Sequence, residues 1–477
     1  MGSGGDRVDL ATEWLLWLVQ GAGHELMLFA AIGVLLVGLD DLLLDAVWLA
    51  MRRGRTPAGT AAASPVAGRF AIFVPAWCEA AVLPAMLRRT LAAWDGEDFR
   101  LYIGCYPNDV ATLFAVSPAV ARDPRLRLVV GDSDGPTTKG DNLNRLWAAL
   151  GEDERAEGRR YAAIILHDAE DHVHSDELAL FRVELARHAM VQIPVMPIPH
   201  DRWVGAHYGD EFAEAHGKEL VVRSRLGVPL PSAGVGCALS RDALTLLALH
   251  RGGLPFRADS LTEDYEVGML IGAYGLSATF VSATGARGDR IASRGEFPGQ
   301  VEPAVRQKAR WIAGIALEAW DHLGWLDLAE RGASARGCAA RWMLWRDRRA
   351  PLAALVVLAS YLALVLTGIG WLGQTWLGWP MPPMSDAMRL LLGVDAALLL
   401  WRLGMRSHFT ARWYGLRAGA MAIPRAFVAN VIAILAAWRA VGLYSRMLRS
   451  GEVVWDKTEH GVGDVEARPV SIMVPLP

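Results

Sequence analysis

Lysine is nearly missing from this chain. Of 48 basic residues in 477, four are lysine (Lys139, Lys218, Lys308 and Lys457) and the rest are arginine. Lysine is a compact point charge and arginine a planar fork. Each retained lysine therefore points to a place where the fork will not fit. Cysteine is scarce too: Cys78, Cys105, Cys237 and Cys338 stand without paired spacing. That excludes a disulfide framework or a cysteine zinc site and fits a reducing compartment. An excess of either charge is also absent, with 51 acidic residues and a net charge of −3. This excludes a strongly basic nucleic-acid binder and an acidic disordered chain, so no nucleic-acid partner is expected. What the chain has in excess is apolar side chains, 53% of residues beside 21% charged ones. The length suggests roughly two or three domain-sized units.

The apolar residues are concentrated. Ala353 to Leu372 runs without a charge, long enough to cross about 30 Å of hydrocarbon as a helix. Leu390 to Leu403, carrying Asp395, is a second candidate span. Leu26 to Met51, interrupted by Asp40, Asp41 and Asp45, is a third. It is too long and too acidic for a cleavable signal. Arg52, Arg53 and Arg55 follow the first span, and Arg341, Arg346, Arg348 and Arg349 precede Ala353, whereas the loop Gly373–Met388 has no basic residue. Basic flanks face the cytoplasm, so the large segment between the spans is expected there. From Ser407 to Ser450 the apolar residues are broken by arginines, a spacing that suits helices lying in the interface, with a re-entrant pair or extra spans as the alternative. Asp41 and Asp45 share a helical face. They either line a polar path or hold Arg402 or Arg439, or they sit at the headgroups.

Between the spans, short apolar runs alternate with helical stretches. Arg69–Pro75, Leu101–Cys105, Leu126–Val130 and Ala162–Leu166 read as strands, and Ala80–Trp94 as an amphipathic helix. This alternation predicts an α/β fold with a mostly parallel sheet. Ligands in such folds bind beyond the carboxyl ends of the strands. There the sequence places Pro75, Ala76 and Glu79; Asp109; Lys139; and Asp168, Glu170 and Asp171. Carboxylates converging on one crevice suggest a hard cation, Mg2+ or Mn2+. Such an ion is most useful when the ligand brings a diphosphate. Further on stand Leu261-Thr262-Glu263-Asp264 and Gln307-Lys308-Ala309-Arg310-Trp311, followed by apolar helices.

In that order, these motifs resemble the membrane-embedded family 2 glycosyltransferases that include cellulose and hyaluronan synthases. Within that group the chain is most similar to the catalytic region of the NfrB-like phage-adsorption proteins, over about residues 24–460. The resemblance implies a GT-A-type mixed, mostly parallel sheet with transmembrane and interfacial helices. It divides the chain into an N-terminal transmembrane segment (1–55), a cytoplasmic transferase domain (56–300), interfacial helices with the Gln-x-x-Arg-Trp box (301–350), transmembrane and interfacial helices (351–450), and a cytoplasmic tail with a gating loop (451–477). It implies inverting transfer from a nucleotide-diphosphate sugar, a UDP-sugar such as UDP-N-acetylmannosamine, at the bacterial inner membrane.

By the same resemblance Asp264 is the base, with Thr262 and Glu263 beside it. Pro75, Ala76, Glu79, Asp109, Lys139, Asp168, Gln307, Arg310 and Lys457 face the nucleotide. Asp168, Glu170 and Asp171 are the metal set. Trp311, Gly236 and Cys237 meet the acceptor, a growing polysaccharide or a lipid-linked molecule. A homodimer or an envelope export partner would complete a polymer channel. The alternatives are a single-addition transferase and a non-catalytic envelope or phage-adsorption scaffold.

Overall fold

The computed structural model describes residues 14, 16–53, 64–326, 334–380, 383–455 and 472–475. At its centre is a seven-stranded sheet. Its strands are β1 (Phe70–Pro75), β2 (Phe99–Cys105), β3 (Leu126–Val130), β4 (Ala163–Leu166), β5 (Met190–Gln192), β7 (Cys237–Ser240) and β8 (Ala278–Phe280), in the order β3-β2-β1-β4-β7-β5-β8. β7 alone runs against its neighbours. β1 is apolar along its whole length because both its faces are covered. Phe70, Ile72 and Val74 pack in one layer with Met86 and Leu87 of α2 (Leu83–Ala93). Ala71 and Phe73 pack in the other with Leu143 and Leu146 of α4 (Lys139–Glu157). Between these helices in sequence lies α3 (Val110–Val120). A small parallel pair, β6 (Val195–Pro197) with β9 (Ser293–Gly295), stands apart from the main sheet. The strands expected from the sequence are therefore present, and their register decides the site. Leu166 pairs with Cys237, which brings His167–Asp171 at the end of β4 beside the loop that leads into β7.

The rest is largely helical and includes α1 (Gly23–Arg53), α5 (Trp203–Glu214), α6 (Glu263–Ala273), α7 (Val301–Ile312), α8 (Ala335–Arg348), α9 (Ala350–Leu377), α10 (Asp386–Tyr414) and α11 (Leu416–Ser450). α1 lies against α9 and α10. Glycine permits this approach: a Cβ on Gly33 would meet Val356 at 2.6 Å, and one on Gly38 would meet Leu398 at 2.9 Å. Among the described residues, three helices are long and apolar enough to cross a membrane: Val19–Arg52, Ala350–Leu377 and Leu416–Ser450.

This corrects the sequence reading at two points. The stretch Leu390–Leu403 belongs to the longer helix α10, whose charges (Asp395, Arg402, Arg406) keep it out of that set. The segment from Leu416 to Ser450 is one continuous helix, not several. That helix is nevertheless tied to the α/β domain at both ends. Arg425 grips Asp210 of α5 at 2.6 and 2.8 Å, and Tyr444 donates to Asp321. It also packs along α7.

The acidic trio of α1 has found partners. Asp41 pairs with Arg346, Arg349 and Arg402, whereas Asp45 pairs with Lys218 at 2.7 Å and accepts from Trp401 at 2.8 Å. The gating segment Asp456–Thr458, Lys457 included, lies outside the described residues. β10 (Glu452–Trp455) just before it pairs antiparallel with β11 (Ile472–Pro475).

Candidate active site

Beyond the carboxyl ends of the parallel strands lies a cavity of about 360 Å3. Pro75, Ala76 and Glu79 line it from the end of β1, Lys139 from the start of α4, and Asp168, Glu170 and Asp171 from the end of β4. Thr262, Glu263 and Asp264 enter at the start of α6, and Gln307, Arg310 and Trp311 along α7. Motifs scattered over more than two hundred residues of sequence thus share one space.

Local structure explains how each group is held. Thr138 caps α4, accepting from Asp141 N–H at 3.2 Å, so Lys139 emerges at a fixed first turn. Its ammonium meets Asp168 Oδ1 at 2.6 Å. Burial works against that charge, but Asp168, then Glu263 and Asp264, hold the lysine above its usual range. Burial lifts the Glu170 carboxyl well above the ordinary range, reinforced by Asp168, Asp171 and Glu79. Asp171 is committed elsewhere: its Oδ2 meets His167 Nδ1 at 2.8 Å and accepts from Asp168 N–H at 3.1 Å. His167 is also bonded to Glu177 at 2.8 Å. Against the penalty of burial, Glu177 and Asp171 push this imidazole up to about 10. Among the described residues no three His, Cys, Asp or Glu side chains form a ready-made metal site.

Asp264 is raised by burial and by Asp168, with Lys139 and Arg310 opposing. Glu263 is pushed up to about 8 by burial and by Asp264, and its Oε1 is buried with no hydrogen-bond partner among the described residues. Gln307 Oε1 is buried in the same condition. Trp311 stands edge-on to Tyr208, Phe212 and Phe297, with ring centroids 6.2–6.4 Å apart.

Three expected site residues lie elsewhere. Asp109 does not line the cavity: it accepts from Cys78 N–H at 2.6 Å and from Thr112 N–H at 3.3 Å. It is the cap of α3 and the anchor of the loop before Glu79, and both its oxygens serve backbone. Gly236 and Cys237 also stand behind the wall, which Ser232, Ala233 and Val235 form instead. Cys237 is fully buried in β7. The glycine that matters is Gly234: with φ at +74°, its Cβ would lie 2.2 Å from Asp264 Oδ2.

Other residues emerge only from the structure. Gln192, the last residue of β5, donates to Val235 O and accepts from Ala233 N–H, both at 2.9 Å, and so fixes that wall. Glu318, six residues beyond Ile312, accepts from Leu261 N–H at 2.8 Å and ties the Arg310 helix to the Asp264 segment. Tyr106 bonds Thr137 at 2.8 Å and stands edge-on to Trp77 at 5.3 Å, all three lining the cavity near Lys139. A polar side chain within a short buried strand (Gln192) was the available sequence signal, because such groups are almost always bonded. The Glu318 bond spans 57 residues and had none.

Residues 163–373 match the profile of Glycosyl transferase family group 2. The chain is 31% identical, over 489 aligned residues, to Bacteriophage adsorption protein B of Escherichia coli strain K12 and to Bacteriophage N4 adsorption protein B of Escherichia coli O157:H7. Both alignments cover 95% of this chain and 63% of the relative. The chain thus spans 63% of the length of these relatives. Among solved structures it is similar in fold to the mannosyltransferase PcManGT from Pyrobaculum calidifontis, in complex with GDP-Man and Mn2+. The TM-score is 0.54 at 16% identity, covering 87% of this chain and 99% of that one.

Proposed function

We propose, from the match of residues 163–373 to Glycosyl transferase family group 2, that the chain transfers a sugar from a nucleotide diphosphate to an acceptor hydroxyl, with inversion, at a membrane. The observation that carries this reading is the meeting of Lys139, Asp168, Asp264 and Arg310 around one cavity beside the apolar helices. Asp264 takes the proton of the attacking hydroxyl. The new glycosidic bond forms as the bond from the anomeric carbon to the diphosphate breaks, and the departing charge falls to Lys139 and Arg310. Gly234 leaves room for the Asp264 carboxylate at the acceptor wall.

Asp168 and Glu170 fit a divalent cation of the Mg2+ or Mn2+ type. Such ions are commonly held by one or two carboxylates and completed by substrate phosphates, and partly buried, mutually repelling acids gain from a cation. We assign the pair rather than Asp171, whose carboxylate is already bonded to His167. When bound, the ion would neutralise charge on the leaving diphosphate. The donor proposed is a UDP-sugar, and the product an elongating polysaccharide exported across the inner membrane, with the domain on the cytoplasmic side. A second reading, single addition to a lipid-linked acceptor, is favoured by the apolar wall of Phe212, Val195, Phe297 and Ile315 around Trp311. Product length on a gel separates the two.

The test uses purified protein in nanodiscs with Mn2+ or Mg2+ and a panel of UDP- and GDP-sugars. Asp264→Asn should lower turnover by about 1,000-fold, within the range of a lost general base, with nucleotide affinity retained by calorimetry. Full turnover in that variant would remove Asp264 as the base. Absence of nucleotide binding in the wild-type protein would favour a scaffold.

A further inference from the structure

On the face of the β6–β9 pair away from the cavity, three guanidinium groups gather without a carboxylate. Gly295 of β9 lines the cavity, so by strand alternation its neighbour Arg294 points the other way. Arg290, just before β9, places its guanidinium 4.9 Å from the centroid of the Trp413 ring and donates to Ser282 Oγ at 2.5 Å. Arg412, next to Trp413, is exposed in the last turn of α10. Tyr414 pins that turn to the strand pair by donating to Pro197 O at 2.9 Å. Burial, then the charges of Arg412 and Arg294, hold Arg290 below its usual range. Among the described residues none of the three forms an ion pair. Nearby arginines do: Arg402 holds Asp41, Arg406 holds Glu214 and Arg425 holds Asp210. Three clustered cations that repel one another are poised for an anion, and the arginine fork matches phosphate. The setting specifies the source: two residues past Tyr414, Leu416 is 86% exposed at the junction of α10 and α11, an apolar tip beside cations.

We propose that Arg290, Arg294 and Arg412 form a phosphate-binding site, separate from the cavity, that takes the phosphodiester of an anionic lipid headgroup. The inference rests on the apolar helices lying in a bilayer and not on the transferase reading, so either can fail without the other.

The experiment compares phosphatidylglycerol with phosphatidylcholine retained on the full chain in native mass spectrometry. Thermal unfolding with phosphatidylglycerol or with inorganic phosphate runs in parallel. Wild type should retain phosphatidylglycerol selectively and gain Tm from it. Arg412→Gln should lower retention about fivefold, the worth of one arginine at an anionic surface, and the triple glutamine variant should abolish selectivity. Arg417→Gln, an exposed arginine outside the cluster, should change nothing. Without lipid, Arg412→Gln should unfold no earlier than wild type, because it removes a repelling charge; this variant carries the test if the triple one does not fold. Equal retention by wild type and Arg412→Gln would overturn the site. Stabilisation by inorganic phosphate, but not by lipid, would overturn the headgroup as its occupant.

Discussion

The two ends of the cavity are made in different ways. At the Lys139 end the charged groups are each held by a second group: Lys139 by Asp168, Asp171 by His167, the Glu79 loop by Asp109. At the Trp311 end the lining is aromatic and aliphatic, and its contacts are ring edges rather than directional bonds. A charged end fixes one ligand geometry, because a displaced charge in a low-dielectric site is costly. An aromatic end tolerates many positions of a flat or apolar partner. On the proposed function, a donor cleaved at one bond suits the first end, and an acceptor that is received and released suits the second.

Breaking the charged end should cost most. Lys139→Met leaves Asp168 without its cation, and kcat/KM for the donor should fall about 30-fold, as for lost bonds to charged groups. Trp311→Ala should raise the acceptor KM about tenfold, the scale of a lost aromatic contact, and leave the donor KM unchanged. If both constants moved together, the two ends would not be separable. Glu318→Ala should lower kcat about fivefold at unchanged donor KM by freeing Leu261 N–H, whereas Glu318→Gln, which keeps an acceptor oxygen, should restore it. Hydrogen exchange at the Leu261 amide reads that bond directly.

The smallest effect is a pH dependence. The Glu263 carboxyl is raised when folded, to about 8. It therefore binds a proton more tightly in the folded than in the unfolded chain. Its contribution to stability is full below the ordinary glutamate range and is lost as pH rises through about 8. Tm should drop between pH 6 and pH 9 (about neutral to alkaline) by more in wild type than in Glu263→Gln. Equal drops would place the Glu263 charge in water.

Much of this was legible in the sequence. Buried parallel strands are continuous apolar runs, so β1 to β4 stood out within a residue or two, and carboxylates beyond them followed from the rule about strand ends. The limits were physical. A carboxylate just after a strand can meet a ligand or cap the next helix with the same residue type, and Asp109 does the second. Arg425, which seemed to break up the tail, is spent on Asp210 of the α/β domain, so the helix continues through it. Gln192 and Glu318 act across 41 and 57 residues, a distance over which no local pattern speaks. The scarcity of lysine was informative as well: each described lysine holds an acid, Lys139 on Asp168, Lys218 on Asp45 and Glu214, and Lys308 on Glu211.

The pair between Lys218 and Asp45 joins residues that a protein chemist would be inclined to cut apart. Trimming away Gly23–Arg53 to obtain a water-soluble fragment would leave Lys218, in a nearly dry interior, with Glu214 as its remaining ion pair among the described residues, and would leave Arg346 and Arg349 facing a void where Asp40 and Asp41 had been. The first helix is thus as much a piece of the interior as an anchor, and a preparation of this protein in detergent or lipid has to keep it.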